Sequence, residues 1–311
     1  MKKSLKIFDS FFLLRPTLFY PVWTFFLAGY WGGMKFSRHS SNFTHPAGMF
    51  WIVISSLTLL MGGAFILNQT QDRETDKTNG KLFLLANGIV SVKKAYIEAL
   101  LLTAVGLAFS FWVDLKIGLG FLILFVLSGL LYNYPPTLWK NRPIMGLVAN
   151  SIGGFLIYSL GWITGDGNGG LLFHGVGYTL AGGAVFLNTT VPDMDGDRKT
   201  GKITFSVWYG VKKTVFWALM LEISGLGLAF LARDWLLFIP GIVVFPLFFL
   251  SAVKHTTDDT VRTTKFSVLA LATAVCIVFP WYLVPVFFVF FFSKFYYKKR
   301  FDFDYPNFKA S

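Results

Sequence analysis

The chain is poor in charge, has one cysteine and has no long polar stretch. Only 14% of its 311 residues are Asp, Glu, Lys or Arg, against roughly 25% in a soluble domain. So few charges cannot cover a surface that faces water, which excludes a soluble globular protein. Cys276 stands alone in an apolar run, so no disulfide framework exists and the residue reads as a small buried hydrophobe. The longest polar stretches, 34–46, 68–81, 192–213 and 254–265, are too short to hold a core, so no soluble domain is visible. The first apolar run has a basic flank (Lys2, Lys3, Lys6) but is too long for a signal core and lacks an Ala-x-Ala-like site. It reads as a span that is retained.

Apolar residues make up 54% of the chain and aromatics 19%. They fall in runs at 11–33, 47–67, 95–113, 117–131, 144–164, 171–191, 214–232, 235–253 and 266–292. A helix needs about 20 apolar residues to cross the hydrocarbon core. The run at 117–131 is short and borrows Tyr132 to Pro135; the last is long and broken by Pro280 and Pro285. The runs lack the alternation of barrel strands, and helices satisfy their own backbone in lipid. The expected fold is an all-α integral membrane bundle of about nine transmembrane helices, one unit over 1–311. Its core spans about 10–292, followed by a basic tail at 293–311.

The net charge of +12 reads as topology, not nucleic-acid binding. With the N-terminus cytoplasmic, inside segments carry Lys2, Lys3 and Lys6; Arg73, Lys77, Lys81, Lys93 and Lys94; Lys140 and Arg142; Arg198, Lys199, Lys202, Lys212 and Lys213; and Lys254, Arg262 and Lys265. Outside loops carry only Lys35, Arg38, Lys116 and Arg233. This is the positive-inside bias. Lys294, Lys298, Lys299 and Arg300 conflict with it after nine spans, unless the Pro-broken last run folds back as a hairpin.

Two polar segments concentrate the carboxylates. Asn68, Asp72 and Asp76 recur every four residues, a spacing that puts all three on one face of a continuing helix. The second segment holds Asp193, Asp195 and Asp197, with Asp193 and Asp197 again four apart. Carboxylates one turn apart repel, more so where the dielectric is low. A cation between them removes that cost, and hard oxygen ligands suit Mg²⁺, which shares substrate phosphates. An EF-hand is excluded, because Arg198 stands where the loop needs Gly and Thr204 where it needs Glu. Each segment follows a span ending Gly-Gly-Ala-x-x-Leu-Asn: Gly62-Gly63-Ala64 before Asn68, and Gly182-Gly183-Ala184 before Asn188. The small residues also suit close helix packing.

These motifs resemble the UbiA-type superfamily of intramembrane prenyltransferases. The family's first signature, Asn-x-x-x-Asp-x-x-x-Asp, is met by Asn68, Asp72 and Asp76. Its Asp-rich loop is met by Asp195-Gly196-Asp197-Arg198 with Asp193 upstream. Its Tyr-x-x-Pro-Pro-x-x-x-Lys element is met by Tyr132, Pro135, Pro136 and Lys140, and its Arg-Pro start by Arg15-Pro16. One departure is Thr189-Thr190, where many members carry Lys-Asp; it bears on the substrate subclass.

The resemblance implies a Mg²⁺-dependent enzyme that moves a polyprenyl group from an isoprenyl diphosphate to an acceptor, an aromatic quinone-type precursor in the first reading. A chlorin, a haem or a glycerol-phosphate lipid are the alternatives within the family, and a cation-coupled transporter is the alternative outside it. Asp72, Asp76, Asp193, Asp195 and Asp197 would hold metal. Asn68, Arg73, Lys77, Asn188, Arg198, Lys140, Tyr132 and Arg15 would bind substrate, with Tyr132 offering a ring face to a carbocation. Within the spans, Arg15, Glu98 and Glu222 are ionisable and functional suspects by position. Glu222 lies deepest and finds no role in the reaction.

Overall fold

The computed structural model describes residues 3–37, 47–78 and 83–306; Lys2, Arg38 and Lys81 lie outside them. The helices are α1 (Asp9–Leu13), α2 (Phe19–Lys35), α3 (Ala47–Gln71), α4 (Arg73–Thr78), α5 (Phe83–Ala86), α6 (Val92–Val113) and α7 (Leu115–Phe125). They continue with α8 (Pro143–Thr164), α9 (Leu171–Thr190), α10 (Met194–Lys199), α11 (Phe205–Leu231), α12 (Trp235–Lys254), α13 (Thr257–Val278) and α14 (Leu283–Phe301). No strand occurs among the described residues. Among the described residues, eight helical segments have the length and apolarity to cross a bilayer, and Leu115–Leu131 is a shorter apolar one.

Three apolar runs differ from the expected spans. The run at 11–33 is not one helix. Arg15 adopts a left-handed φ of 56°, Pro16 opens a 3-10 turn to Leu18, and α2 starts at Phe19. The run at 117–131 does not borrow Tyr132 to Pro135. Asp114 caps α7 by accepting from Lys116 and Ile117, the helix ends in a π-turn over Val126–Leu131, and the Tyr132 carbonyl turns to accept from the Lys140 amide at 3.2 Å. The run at 266–292 is two helices. Thr256 caps α13 through the Asp259 amide, and Pro280 opens the 3-10 turn that precedes α14.

Helix α14 folds back along the N-terminal segment. Tyr282 meets Thr24 (3.1 Å), the Tyr20 hydroxyl donates to the Val286 carbonyl (3.1 Å), and Tyr296 donates to Asp9 (2.7 Å). Partner numbers fall as α14 advances, so the pair is antiparallel. The basic tail therefore returns to the end of the bundle that holds the N-terminus, which removes the conflict in the charge bias. The anchor is the buried pair of Arg300 and Asp9, at 2.9 Å. Thr17 and Tyr305 are hydrogen-bonded at 2.8 Å. Together these contacts brace the strained Arg15 turn between α1 and α2. Removing one partner of a buried pair costs about 3–5 kcal/mol, because the other charge is left uncompensated. Asp9→Ala is therefore expected to lower the thermal midpoint in detergent sharply, with a smaller loss for Asp9→Asn.

Close helix approach shapes the middle of the bundle. Gly29, Gly32 and Gly33 of α2 face Tyr158 and Trp162 of α8, and Gly161 and Gly165 of α8 face the α2 backbone. Gly63 of α3 faces Ala99 and Thr103 of α6. Such small-residue contacts are how helices pack in lipid, where burial of apolar surface supplies no drive.

Candidate active site

Backbone bonds carry helical spacing through both acidic segments. The Asp72 amide donates to the Asn68 carbonyl (3.0 Å) and the Asp76 amide to the Asp72 carbonyl (2.7 Å). The Asp197 amide donates to the Asp193 carbonyl at 2.9 Å. Asn68, Asp72 and Asp76 thus share one helical face, and Asp193 and Asp197 another.

The fold then brings the two segments together at one end of the bundle. Thr75 and Thr200 are hydrogen-bonded at 3.0 Å across 125 residues of sequence. Lys202 lies between the motifs, its Nζ 3.6 Å from Asp72 and 3.7 Å from Asp197. Lys140 Nζ sits 2.7 Å from Asp72, delivered there by the turn that follows Tyr132. Lys140 is 5% exposed and Asp197 2%. Burial lowers the Lys140 pKa in spite of Asp72 beside it. Burial also opposes the charge of Lys202, but Asp72, Asp197, Tyr132 and Asp193 outweigh it and hold its pKa up. Burial raises the carboxyl of Asp197, and Lys202 only partly offsets this. The point between the two motifs therefore favours positive charge.

Beside the acidic end lies a mainly apolar cavity of about 430 Å³. Asn68, Tyr132 and Arg15 line it near the acidic end, and Phe25, Phe65 and Phe186 supply aromatic wall. Asn68 donates to the Asn133 side-chain oxygen at 2.8 Å, and Asn133 in turn donates to the Ser128 carbonyl at 2.8 Å. Tyr132 and Asn150 both line the cavity, and burial raises the Tyr132 pKa. Thr189, one of the two residues that depart from the family pattern, lines the cavity. Thr190 faces elsewhere, and its carbonyl accepts from Ser206 at 2.6 Å.

The expected site residues thus divide. Asp72, Asp197, Lys140 and Tyr132 gather around Lys202, and Asp193 adds to the same field. Asp195 and Arg198 are exposed, on the side of α10 away from buried Asp197, and Lys77 is exposed too. Of the metal set expected from the sequence, Asp195 alone is exposed. Lys202, Asn133 and Asn150 were not expected. Lys202 follows the Asp-rich loop closely enough to be suspected, but in sequence it is one more positive-inside charge.

The donor set fits a hard cation shared with a ligand. Among the described residues no group of three or more His, Cys, Asp or Glu converges on one point. Mg²⁺ does not need such a cage, since it takes one or two carboxylates, waters and substrate phosphates. Asn188, five residues before Asp193, is 0% exposed with neither amide atom partnered, and Arg73 Nε is likewise buried without a partner. Buried polar atoms without partners are costly and point to an unseen ligand or water.

Fold and site together define a helical membrane protein with two acidic motifs gathered at one end of the bundle beside an apolar cavity. The chain belongs to the UbiA prenyltransferase family, whose profile matches residues 22–269. It is 29% identical over 185 residues to digeranylgeranylglyceryl phosphate synthase of Sulfolobus acidocaldarius, covering 57% of this chain and 63% of that protein. It is 24% identical over 237 residues to the chloroplastic 2-acylphloroglucinol 4-prenyltransferase of Humulus lupulus, covering 71% and 54%. The matches thus span about three-fifths or less of those relatives' length. In fold it is similar to a UbiA homolog from Archaeoglobus fulgidus bound to DMAPP and Mg²⁺, with a TM-score of 0.61, 19% identity, and 87% and 99% of the two chains covered. It is also similar to the apo UbiA homolog from Aeropyrum pernix, with a TM-score of 0.65, 16% identity, and 82% and 96% covered.

Proposed function

We propose that the protein transfers a polyprenyl group from an isoprenyl diphosphate to a lipophilic acceptor at the cytoplasmic face of the membrane. The observation that carries this reading is the meeting of two acidic motifs around Lys202 at one end of an apolar cavity. A diphosphate head fits the polar end and a hydrocarbon tail fits the cavity.

Asp72, Asp76, Asp193 and Asp197 would hold Mg²⁺, which would stabilise the charge that builds on the leaving diphosphate. Lys140 and Lys202, which pair with Asp72 and Asp197, would neutralise the remaining phosphate charge. Tyr132, on the cavity wall, offers its ring to the allylic cation that forms as the C–O bond breaks. The apolar wall keeps water from capturing that cation.

The acceptor is an aromatic quinone-type precursor in the first reading, which the Phe-lined wall supports. The second reading is a glycerol-phosphate lipid. Arg15 favours it, because a guanidinium at the cavity wall can take a second phosphate. Relatives of both acceptor types support the pair of readings.

The test incubates purified protein with radiolabelled geranylgeranyl diphosphate and a panel containing both acceptor types. Product and diphosphate release are expected with Mg²⁺. EDTA is expected to reduce turnover by about 10³-fold, the rate equivalent of several kcal/mol of transition-state charge stabilisation. Absence of Mg²⁺-dependent release with any acceptor overturns the reading.

A further inference from the structure

One buried carboxyl belongs to no part of this machinery. Glu222 of α11 is 3% exposed and lines the cavity. It pairs with no cation and no hydrogen-bond donor among the described residues. Arg15 is the other charged residue of the cavity wall, and it stands near the acidic end. The two ends are well separated. The Ser206 hydroxyl bonds the Thr190 carbonyl, so α11 starts level with the acidic loop. The helix kinks at Gly210. At 1.5 Å per residue, Glu222 lies about 18 Å along the axis from that kink.

The wall opposite Glu222 is cut away. A Cβ on Gly241 of α12 would come within 3.4 Å of Glu222 Oε1 and would collide with the Leu226 side chain. Its neighbour Pro240 also lines the cavity. The Glu222 carboxyl thus lies in a mainly apolar wall, beside a glycine that leaves it room.

A plain prenyl tail does not explain this arrangement. Hydrocarbon against a carboxyl leaves it unpartnered in an apolar medium, which is unfavourable. A hydroxyl donor satisfies it, because a carboxyl accepts a hydrogen bond whether or not it is protonated. A purely structural role is also poorly served, since Glu222 ties α11 to no other helix.

We propose that Glu222 builds a hydroxyl-binding subsite at the inner end of the cavity, which takes the alcohol of a long apolar substrate whose reacting end lies by Asp72 and Asp197. The proposal rests on the transferase reading for what reacts at the other end. The alcohol belongs either to the acceptor or to the far end of the donor chain.

The test uses the full chain in lipid nanodiscs and two probes, farnesol and farnesyl methyl ether. Affinities are read from titrated thermal midpoints. The wild type is expected to bind farnesol about tenfold more tightly than the ether, the cost of leaving one buried acceptor unpaired. Glu222→Gln, which keeps an acceptor oxygen, is expected to retain the preference. Glu222→Leu is expected to erase it while raising the midpoint of the ligand-free protein, since an unpaired buried carboxyl is removed. Equal binding of the two probes by the wild type, or a preference that survives in Glu222→Leu, overturns the proposal. Repeating the titration with Mg²⁺ and saturating geranylgeranyl thiodiphosphate separates the sources. A preserved preference assigns the hydroxyl to a second molecule, the acceptor. Exclusion of farnesol assigns it to the donor's own compartment. Either result keeps the subsite. Failure of the transferase reading shows elsewhere, as absent diphosphate release, because the alcohol titration uses no turnover.

Discussion

Asp72→Ala is expected to lower turnover of an isoprenyl diphosphate by about 10³-fold or more, equivalent to about 4 kcal/mol of lost transition-state stabilisation. Asp72 is singled out because it meets both lysines of the site, Lys140 at 2.7 Å and Lys202 at 3.6 Å. Asp197→Ala should do the same from the other motif, since Lys202 reaches it at 3.7 Å. A lost carboxylate also leaves buried Lys140 without its partner, which costs stability by itself. Asp72→Asn keeps the shape and a hydrogen-bond acceptor for Lys140, so it separates the two effects. Turnover should fall nearly as far as in Asp72→Ala while the thermal midpoint falls less. Asp195→Asn is the control. Asp195 is exposed on the side of α10 away from Asp197, so its loss should leave the rate within about threefold, a change below about 0.7 kcal/mol. Single-turnover assays at matched Mg²⁺ decide the matter. Asp72→Asn at wild-type rate, or Asp195→Asn as impaired as Asp197→Ala, would remove the site as drawn.

Much of this site could be read from residue spacing, because the signal is local. Carboxylates at four-residue intervals share a face whenever the helix continues, and the amides of Asp72, Asp76 and Asp197 show that it does. The apolar runs located the bundle for the same reason: chain length in lipid is set by bilayer thickness. What spacing could not carry were contacts between distant parts of the chain. Lys202 looked like one topological charge among many, and only the fold puts it between Asp72 and Asp197. Asp195 looked equivalent to its neighbours, but two residues along a helix is a rotation of roughly 200°, which takes it to the far side. The helix breaks were legible as prolines. Their outcomes were not: Pro240 and Pro246 stay inside α12, whereas Pro280 separates α13 from α14. The tail's return became visible only with Asp9 and Arg300 in contact.

Gly161→Leu is expected to prevent stable folding, at a cost above about 4–5 kcal/mol, the range reserved for severe overpacking and backbone displacement. A Cβ at Gly161 would run into the Phe26 carbonyl and come within 2.8 Å of the Tyr30 amide. On the other side, a Cβ at Gly29 would run into the Tyr158 carbonyl. The obstacle in both cases is backbone, which has no rotamer to change, so α2 and α8 must separate. Even Gly161→Ala should cost about 1–3 kcal/mol. Gly227→Ala provides the matched control, since a Cβ there meets nothing within 4 Å; it should be neutral or stabilising by up to about 1 kcal/mol, the helix preference of Ala over Gly. Thermal aggregation followed by size exclusion in detergent reads all three. The interface also serves the cavity, because Phe25 of α2 and Gly153, Gly154 and Ile157 of α8 line it. A Gly161→Ala protein that still folds should therefore bind donor less tightly with its acidic residues intact, raising KM more than it lowers kcat. Loss of kcat alone would mean that α2 and α8 set the chemistry at the acidic end and not the width of the space for the tail.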